Sequence, residues 1–441
     1  MYHGRSMTKI PKADSHASMG SHPNRQASLP SKKRNTSSTG PKLMAHHVAI
    51  RMVLLVLAMA LLAGCAVAPP RNPLPEGLSD EMIYEGIAIP SARWWGDALP
   101  RDLVEKYAET RDQLEMEDPE AFNRPVHYLA ISGGGANGAF GAGLLKGWTA
   151  AGNRPAFHMV TGISTGALIA PFAFIGPEKD SILEEFYTTT STKDILKKRW
   201  IFALLRREAG ADSTPLQNIL KDIIDGPLIE AIAAEHKRGR RLFIGTANLD
   251  AGRPVMWNIG AIANSGHPDA VQLIRDVLLA SASIPGMFPP VLMKVDAGEE
   301  TFDEMHVDGG TANQVFLYPA SLDERKAKKE LGVRGKSHLW IIRNGFINPR
   351  FEIVPNKATR IAGRSVNLLI RTQANGDLQR LYLQAEKDKM TYRLAYIPDT
   401  FNEKSTEDFD PVYMGKLFNL GYEMAQKGFP WQKSPPGFEN K

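Results

Sequence analysis

The chain has 441 residues, of which 43% are hydrophobic and 23% charged, with 38 Gly and 30 Pro. That composition gives room for one large domain with appendages and excludes collagen-like, wholly disordered and multi-span membrane classes. A single cysteine, Cys65, excludes an intrachain disulfide and a thiolate metal cage. The net charge of +5 is concentrated at the front: residues 1–64 hold nine of the 53 Lys and Arg against one acid, Asp14, and the remainder is slightly acidic. A nucleic-acid partner would need a folded domain with a clustered basic face, so none is expected.

Behind a Ser-, His- and Lys-rich leader, Met52 to Ala63 form an uncharged, almost wholly apolar run preceded by Arg51. The run is short for a membrane-spanning helix, which needs about 20 apolar residues, and Pro69-Pro70 stops any extension. Its layout is that of a secretory signal peptide. Leu62-Ala63-Gly64-Cys65 resembles the lipobox of bacterial lipoproteins, which implies lipidation of Cys65 and membrane attachment through it. A plain N-terminal anchor helix is the other reading. Because 51 residues are too many for a signal n-region, translation is expected to begin near Met44. Residues 1–43 would then be absent or disordered, and residues 44–64 would be the signal peptide. Ala66 after the cysteine implies the outer membrane of a bacterial envelope, facing the periplasm.

In the mature chain, residues 65–125 read as a Pro-rich tether plus an N-terminal element, with one helix from Arg101 to about Glu117. From Val126 short apolar runs alternate with helical periodicity. The strand at Val126–Ile131 precedes a helix at Asn137–Ala151; the strand at His158–Thr161 precedes a helix at Thr165–Ile175. Further strands are expected at Arg241–Ala247, Pro254–Ile259, Val291–Val295 and His338–Arg343. This alternation predicts an α/β fold with a mostly parallel central sheet and helices on both faces. The catalytic domain is expected at 126–345. Residues 346–441 read as a helical extension packing on the core, with Gly363–Ala385 helical. Two charged stretches stand out: Ser321–Lys336, a solvated helix or loop, and Lys193–Arg207. The latter is either a surface helix with one buried stripe or a cationic element touching anionic lipid.

Three motifs carry chemistry. Gly162-Ile163-Ser164-Thr165-Gly166 lies between a strand and a helix, the context of a nucleophile elbow, where the glycines admit a sharp turn and the helix N-terminus favours a developing anion. A buried small-residue turn has the same pattern. Ser132-Gly133-Gly134-Gly135-Ala136-Asn137-Gly138 also joins a strand to a helix. Gly133, Gly135 and Gly138 fit a dinucleotide fingerprint, but the next strand offers no ribose-binding acid. A phosphate loop would need Gly-Lys-Ser/Thr. An oxyanion hole built from the glycine amides is the third reading. The late segment Val307-Asp308-Gly309-Gly310 offers a carboxylate. Histidine does not suit the base: His338, the only late candidate, opens a strand, and His306 sits just upstream of Asp308.

In this order the three motifs resemble the patatin-like phospholipases. Ser213-Thr214-Pro215-Leu216, Thr246-Ala247-Asn248-Leu249-Asp250 and the stretch from Ala280 through Pro290 look like further blocks of that family, so the resemblance runs from about Val126 to Gly345. It implies a three-layer sandwich and a Ser-Asp dyad, with Ser164 as nucleophile and Asp308 as base. It also places the oxyanion hole at Gly133, Gly134 and Gly135, with Gly138, Gly162, Gly166, Gly309 and Gly310 supporting the motifs. Many members carry Arg or Lys where this chain has Asn137, which bears on headgroup preference. The expected function is a membrane-anchored lipid acyl hydrolase that forms an acyl-enzyme from a lipid or acyl ester and needs no metal or other cofactor. A catalytically silent lipid-binding lipoprotein and a lipid acyltransferase are the alternatives. The substrate within that class and the oligomeric state are not legible.

Overall fold

The computed structural model describes residues 51–52, 71–198 and 211–438. Residues 1–43, Cys65, all of the segment 44–64 except Arg51 and Met52, and residues 199–207 of the cationic stretch lie outside the described residues. The chain divides into two units, Met1–Ala63 and Gly64–Lys441. In the first, only helical Arg51 and Met52 are described. All four core clusters lie within the second, so a chain beginning at Ala66 keeps the whole described core. No described helix is long and apolar enough to cross a membrane.

The strands are β1 (Arg93–Trp95), β2 (Val126–Ile131), β3 (Met159–Ile163), β4 (Lys197–Lys198), β5 (Ala211–Asp212), β6 (Arg241–Asn248), β7 (Arg253–Asn258), β8 (Val291–Ala297), β9 (Glu300–Asp308), β10 (Ser337–Arg343) and β11 (Thr391–Tyr396). Nine of them form one sheet in the order β1-β7-β6-β3-β2-β10-β11, with β9 also pairing with β6 and carrying β8. The run from β6 through β11 is parallel, while β1, β7, β8 and β9 add an antiparallel flank. β4 and β5 make a separate two-stranded ribbon.

The parallel strands are apolar on both sides because both sides are covered, as such sheets require. Along β2, Leu129 and Ile131 enter one core cluster, while Val126, Tyr128 and Ala130 enter another. The first cluster holds residues from helices Gly138–Ala150, Thr165–Ile175 and Pro411–Gln426; the second holds Leu378, Leu381 and Ala385 from the helix Ala358–Asp388. The result is the expected mostly parallel sheet between two helical layers. Helices Gly138–Ala150 and Pro411–Gln426 meet backbone to backbone: a Cβ on Gly143 would stand 2.0 Å from the Phe418 carbonyl oxygen.

The expected strands appear within one or two residues of their boundaries, except that the second begins at Met159 and runs to Ile163. Besides the short β4–β5 ribbon, three strands of the large sheet were not anticipated. β9 delivers Asp308, β1 pairs with β7, and β11 extends the sheet parallel to β10. Residues 346–441 are therefore more than a helical extension, since β11 is a strand of the central sheet. The stretch Ser321–Lys336 contains the helix Glu324–Leu331, and the N-terminal element contains the helix Leu103–Glu117.

β1 is held by a buried ion pair. Arg93 and Glu304 are each 1% exposed at the side chain, and the guanidinium also donates to the Met82 carbonyl at 2.9 Å and lies over the Trp257 ring. Removing one partner strands the other charge without water. Arg93→Met is expected to cost about 3–5 kcal/mol, with much of it regained in Arg93→Met/Glu304→Leu. Urea unfolding of the two variants beside the wild type measures both quantities.

Candidate active site

Ser164 stands at the C-terminal tip of β3, between that strand and the helix Thr165–Ile175. Its backbone has φ 56° and ψ −125°, a conformation that costs a non-glycine residue about 1–3 kcal/mol. The flanking glycines permit it. A Cβ on Gly162 would come within 2.4 Å of the Gly166 carbonyl oxygen, and one on Gly166 within 2.3 Å of the Ile131 carbonyl oxygen. Side chains at either position would push the helix away from β3 or from β2. The Ser164 N–H is held by Ser281 Oγ at 3.1 Å, and that hydroxyl donates to the Gly245 carbonyl at 2.7 Å. The elbow is thus tied to β6 as well as to its own helix.

Asp308 arrives along the edge of β6 that also pairs with β3: β3 ends its pairing at Gly245, β9 takes up Thr246–Asn248 beyond it, and β7 holds the opposite edge. Strand β9 pairs antiparallel with β6, with Asp308 opposite Thr246. The main chain can turn there because Gly309 lies against β6, where a Cβ would stand 2.4 Å from the Gly245 carbonyl oxygen. Asp308 Oδ1 accepts the Gly310 N–H at 2.7 Å, and the Ser164 side chain is close enough to the carboxyl to favour its ionised form. Burial pushes the carboxyl pKa up to about 6, against the opposing effects of Ser164 and Gly310. Both residues are buried, with 6% of Ser164 and 5% of Asp308 exposed.

No histidine takes part in this pair. His306 is wholly buried between Thr246 and Glu304, at 3.0 and 3.1 Å, and burial lowers its pKa. His127, His158 and His338 gather at the starts of β2, β3 and β10, at the opposite end of the strands from Ser164. Among the described residues no group of three or more His, Cys, Asp and Glu could hold a metal ion.

The glycine loop lies beside the elbow. A Cβ on Gly133 would stand 3.1 Å from Ser164 Cβ, and one on Gly138 would stand 2.1 Å from Thr165 Oγ1. The expected oxyanion donors are not equivalent. The Gly133 N–H already donates to the Gln314 carbonyl at 3.1 Å, so this amide is not free and its place in the expected trio needs correction. The N–H groups of Gly134 and Gly135 have no hydrogen-bond acceptor among the described residues. Gly134 packs against Asn344, and Gly135 has φ 56° and open space where a side chain would stand. Asn137 Oδ1 accepts from the Tyr413 hydroxyl at 2.7 Å, so it braces the loop on the C-terminal helix.

A set of supporting residues carried no sequence signal as a site. The Arg343 guanidinium donates to the Gly133 carbonyl at 2.9 Å and to Ser132 Oγ at 3.1 Å. Ser132 Oγ donates to the same carbonyl at 2.7 Å. Arg343 is completely enclosed, and burial lowers its pKa to about 10, which leaves it cationic at neutral pH. Asp377 accepts the N–H of Gln314 at 2.6 Å, and Gln373 donates to the Ala312 carbonyl at 2.8 Å. The helix Ala358–Asp388 thereby grips the loop after Asp308. Ser132, at the start of the glycine motif, and Ser281 belonged to stretches singled out by sequence.

A cavity of about 550 Å³ is lined by Ile163, Gly245 and Gly309, the immediate neighbours of the pair, together with Met256 and Phe316. A second, more apolar cavity of about 200 Å³ lies between the helix Leu103–Glu117 and the strand starts, with neither Ser164 nor Asp308 in its wall. Ser164 and Asp308 are absent from the wall of the first cavity too, which touches their neighbours Ile163 and Gly309 only.

The Asp308 pKa gives a stability test. An unfolded Asp ionises near 3.9, below the folded value of about 6. The folded state therefore holds the proton more tightly, and the stability it gains in acid is lost as pH rises through 6. Asp308→Asn removes that loss, so it is expected to unfold at a higher temperature than the wild type at pH 8 and at nearly the same temperature at pH 4. Thermal scans at the two pH values read the difference.

No curated protein matches the chain. Among solved structures, it is similar to VipD from Legionella pneumophila, with 13% identity and a TM-score of 0.31, over 69% of this chain and 67% of that one. It is also similar to human GIVD cytosolic phospholipase A2, with 10% identity and a TM-score of 0.28, over 64% of this chain and 52% of that one. The family model described as patatin-like phospholipase matches residues 129–321. This stretch runs from β2 past the glycine loop and Ser164 to Asp308 and beyond, so the patatin-like phospholipase model matches the part of the chain that holds all three motifs.

Proposed function

We propose that the chain is a lipid acyl hydrolase working through a Ser164–Asp308 dyad. The observation that carries this reading is the placement of a buried carboxyl, Asp308, beside the strained Ser164 turn where β9 meets the end of β3 along β6, with its pKa raised to about 6 by burial. A carboxylate in water is too weak a base to activate a serine hydroxyl. Desolvation makes it a stronger one and brings its pKa near the working pH. Ser164 Oγ attacks the ester carbonyl as its proton passes to Asp308. The tetrahedral oxyanion takes the N–H groups of Gly134 and Gly135, and its collapse expels the alcohol, which receives the proton from Asp308. Water, deprotonated at the same carboxylate, attacks the acyl-enzyme, and as the bond to Ser164 Oγ breaks Asp308 returns that proton to the serine and the fatty acid leaves. Every proton is accounted for without a histidine.

Arg343 strengthens the oxyanion site from behind. The carbonyl it binds belongs to the same peptide unit as the Gly134 N–H, so the guanidinium and the Ser132 hydroxyl polarise that amide towards donation. A cation at this place offers the anion stabilisation that the neutral Asn137 does not. Attachment to the envelope through Cys65, facing the periplasm from the outer membrane, belongs to the same proposal and is supported by the Leu62-Ala63-Gly64-Cys65 pattern alone.

The test is fatty-acid release from phospholipid and from a series of acyl esters by the chain beginning at Ala66. Ser164→Ala and Asp308→Asn are expected to fall to background, while kcat/KM of the wild type rises with pH up to about 6 and is level above it. Wild-type inactivity on every ester, with lipid interfaces supplied, rejects the hydrolase reading.

Arg343→Met is expected to lower kcat roughly tenfold with KM little changed, because the oxyanion exists only in the transition state and Arg343 reaches it through a peptide. Arg343→Lys should restore part of the rate. Steady-state kinetics of the pair separate this from a simple loss of folded protein, which would leave KM and per-site kcat unchanged.

A further inference from the structure

The helix Ala358–Asp388 has two halves with different surroundings. From Ala374 onward its Ala374, Leu378, Leu381 and Ala385 are buried against the sheet. From Ala358 to Leu369 no residue is buried. Ile361, Leu368 and Leu369 are exposed there on the side turned away from the buried stripe, with Val366 beside them. The preceding loop adds Phe351, which is 93% exposed, and Ile353, at 81%. Arg364 ties loop to helix by binding Glu352 at 3.0 Å and the Arg350 carbonyl.

The same protrusion is cationic. Lys357, Arg360, Arg364 and Arg371 follow one another at spacings of three, four and seven residues, so they lie along one side of the helix next to the apolar residues. No acid occurs between Glu352 and Asp377. Lys357 and Arg360 have no side-chain hydrogen-bond or ion-pair partner among the described residues.

We infer that residues 350–373 dock the protein on an anionic lipid bilayer, with the apolar side chains entering the interface and the basic row meeting the headgroups. Exposed apolar groups beside a row of cations match a surface that is apolar inside and negative outside. A second copy of this chain is the less fitting occupant, because a two-fold contact through this patch would set the basic row against itself. The docked element is rooted at the candidate site: Gln373 and Asp377 on the next turns of the same helix hold Ala312, Gln314 and Val315, a few residues after Asp308. The inference concerns binding and does not depend on the chemistry of Ser164.

The experiment is co-sedimentation of the chain from Ala66 onward with phosphatidylcholine vesicles, with and without phosphatidylglycerol. The parent carries Ser164→Ala so that the vesicles are not consumed. It is expected to partition at least tenfold more strongly onto the phosphatidylglycerol vesicles, and added salt should weaken this. Each lost cation should reduce the partition about fivefold, equivalent to about 1 kcal/mol. Lys357→Glu/Arg360→Glu should therefore bind at least 25-fold more weakly, and Leu368→Ser/Leu369→Ser should also bind less. In a Ser164 background both variants should cleave a soluble short-chain ester as the wild type does, so a failed hydrolase reading is told apart from failed docking. Binding by both variants equal to the parent overturns the inference. So does a dimer, seen by sedimentation velocity, that Leu368→Ser/Leu369→Ser disperses.

Discussion

The site depends on one backbone conformation, the left-handed turn at Ser164. A serine does not adopt φ 56° and ψ −125° without being held there. Three surfaces close on it: the helix that starts at Thr165, the carbonyls of Ile131 and Ser132 at the end of β2, and Ser281 bridging to β6. Each contact is made at a distance that a Cβ at Gly162 or Gly166 would forbid. The strain is thus sustained by tight packing across adjacent strands, and it raises the serine hydroxyl out of the sheet towards the carboxylate. Strand order does the rest. With β3 between β2 and β6, and β9 taking up the same edge of β6 where β3 ends, the glycine loop reaches the serine from the end of β2 and Asp308 from the strand that continues beyond β3.

Two buried charges flank that serine, and each lacks the usual neutralising neighbour. Asp308 has the Ser164 hydroxyl and the Gly310 amide but no cation against it. Arg343 has the Ser132 hydroxyl and the Gly133 carbonyl rather than a carboxylate against it. An arrangement built for stability would have joined them, since removing one partner of a buried ion pair is costly. Keeping them on opposite sides of Ser164 leaves a carboxyl that holds a proton near pH 6 and a cation that polarises amides. Both features suit a reaction in which a proton leaves the serine on one side and negative charge grows on the other. The contrasting case is Arg93–Glu304, where the charges are joined and serve to fix β1 and β9.

Much of this was legible in the chain. The apolar runs beginning at Val126, His158, Arg241 and His338 read as strands because strands buried on both faces carry continuous apolar residues, and the glycines around Ser164 and after Ser132 mark places where backbones must touch. β9 was missed because its sequence, ETFDEMHVD, is rich in acids. Those acids are satisfied by partners distant in sequence: Asp303 by Arg71 and Glu304 by Arg93. The difference among the three loop glycines was likewise hidden, because the acceptor that claims the Gly133 amide, the Gln314 carbonyl, lies 181 residues later. Residue type announces a donor, whereas only the fold says whether the donor is already engaged.

The family match ends at residue 321, yet the site does not. Arg343 and Asn344 at the end of β10 support the glycine loop, Gln373 and Asp377 hold the loop after Asp308, and Tyr413 fixes Asn137. The final third of the chain also supplies β11 and the helix packed on Gly143. These residues touch the motif residues through main-chain groups, so they can change in type wherever a similar hydrogen bond is kept, and no short motif records them. The matched segment therefore supplies Ser164, Asp308 and the glycine loop, and the segment beyond it helps to hold them in place. The long helix joins the two tasks: its buried half grips the loop after Asp308, and its exposed half projects from the body on the same rigid rod.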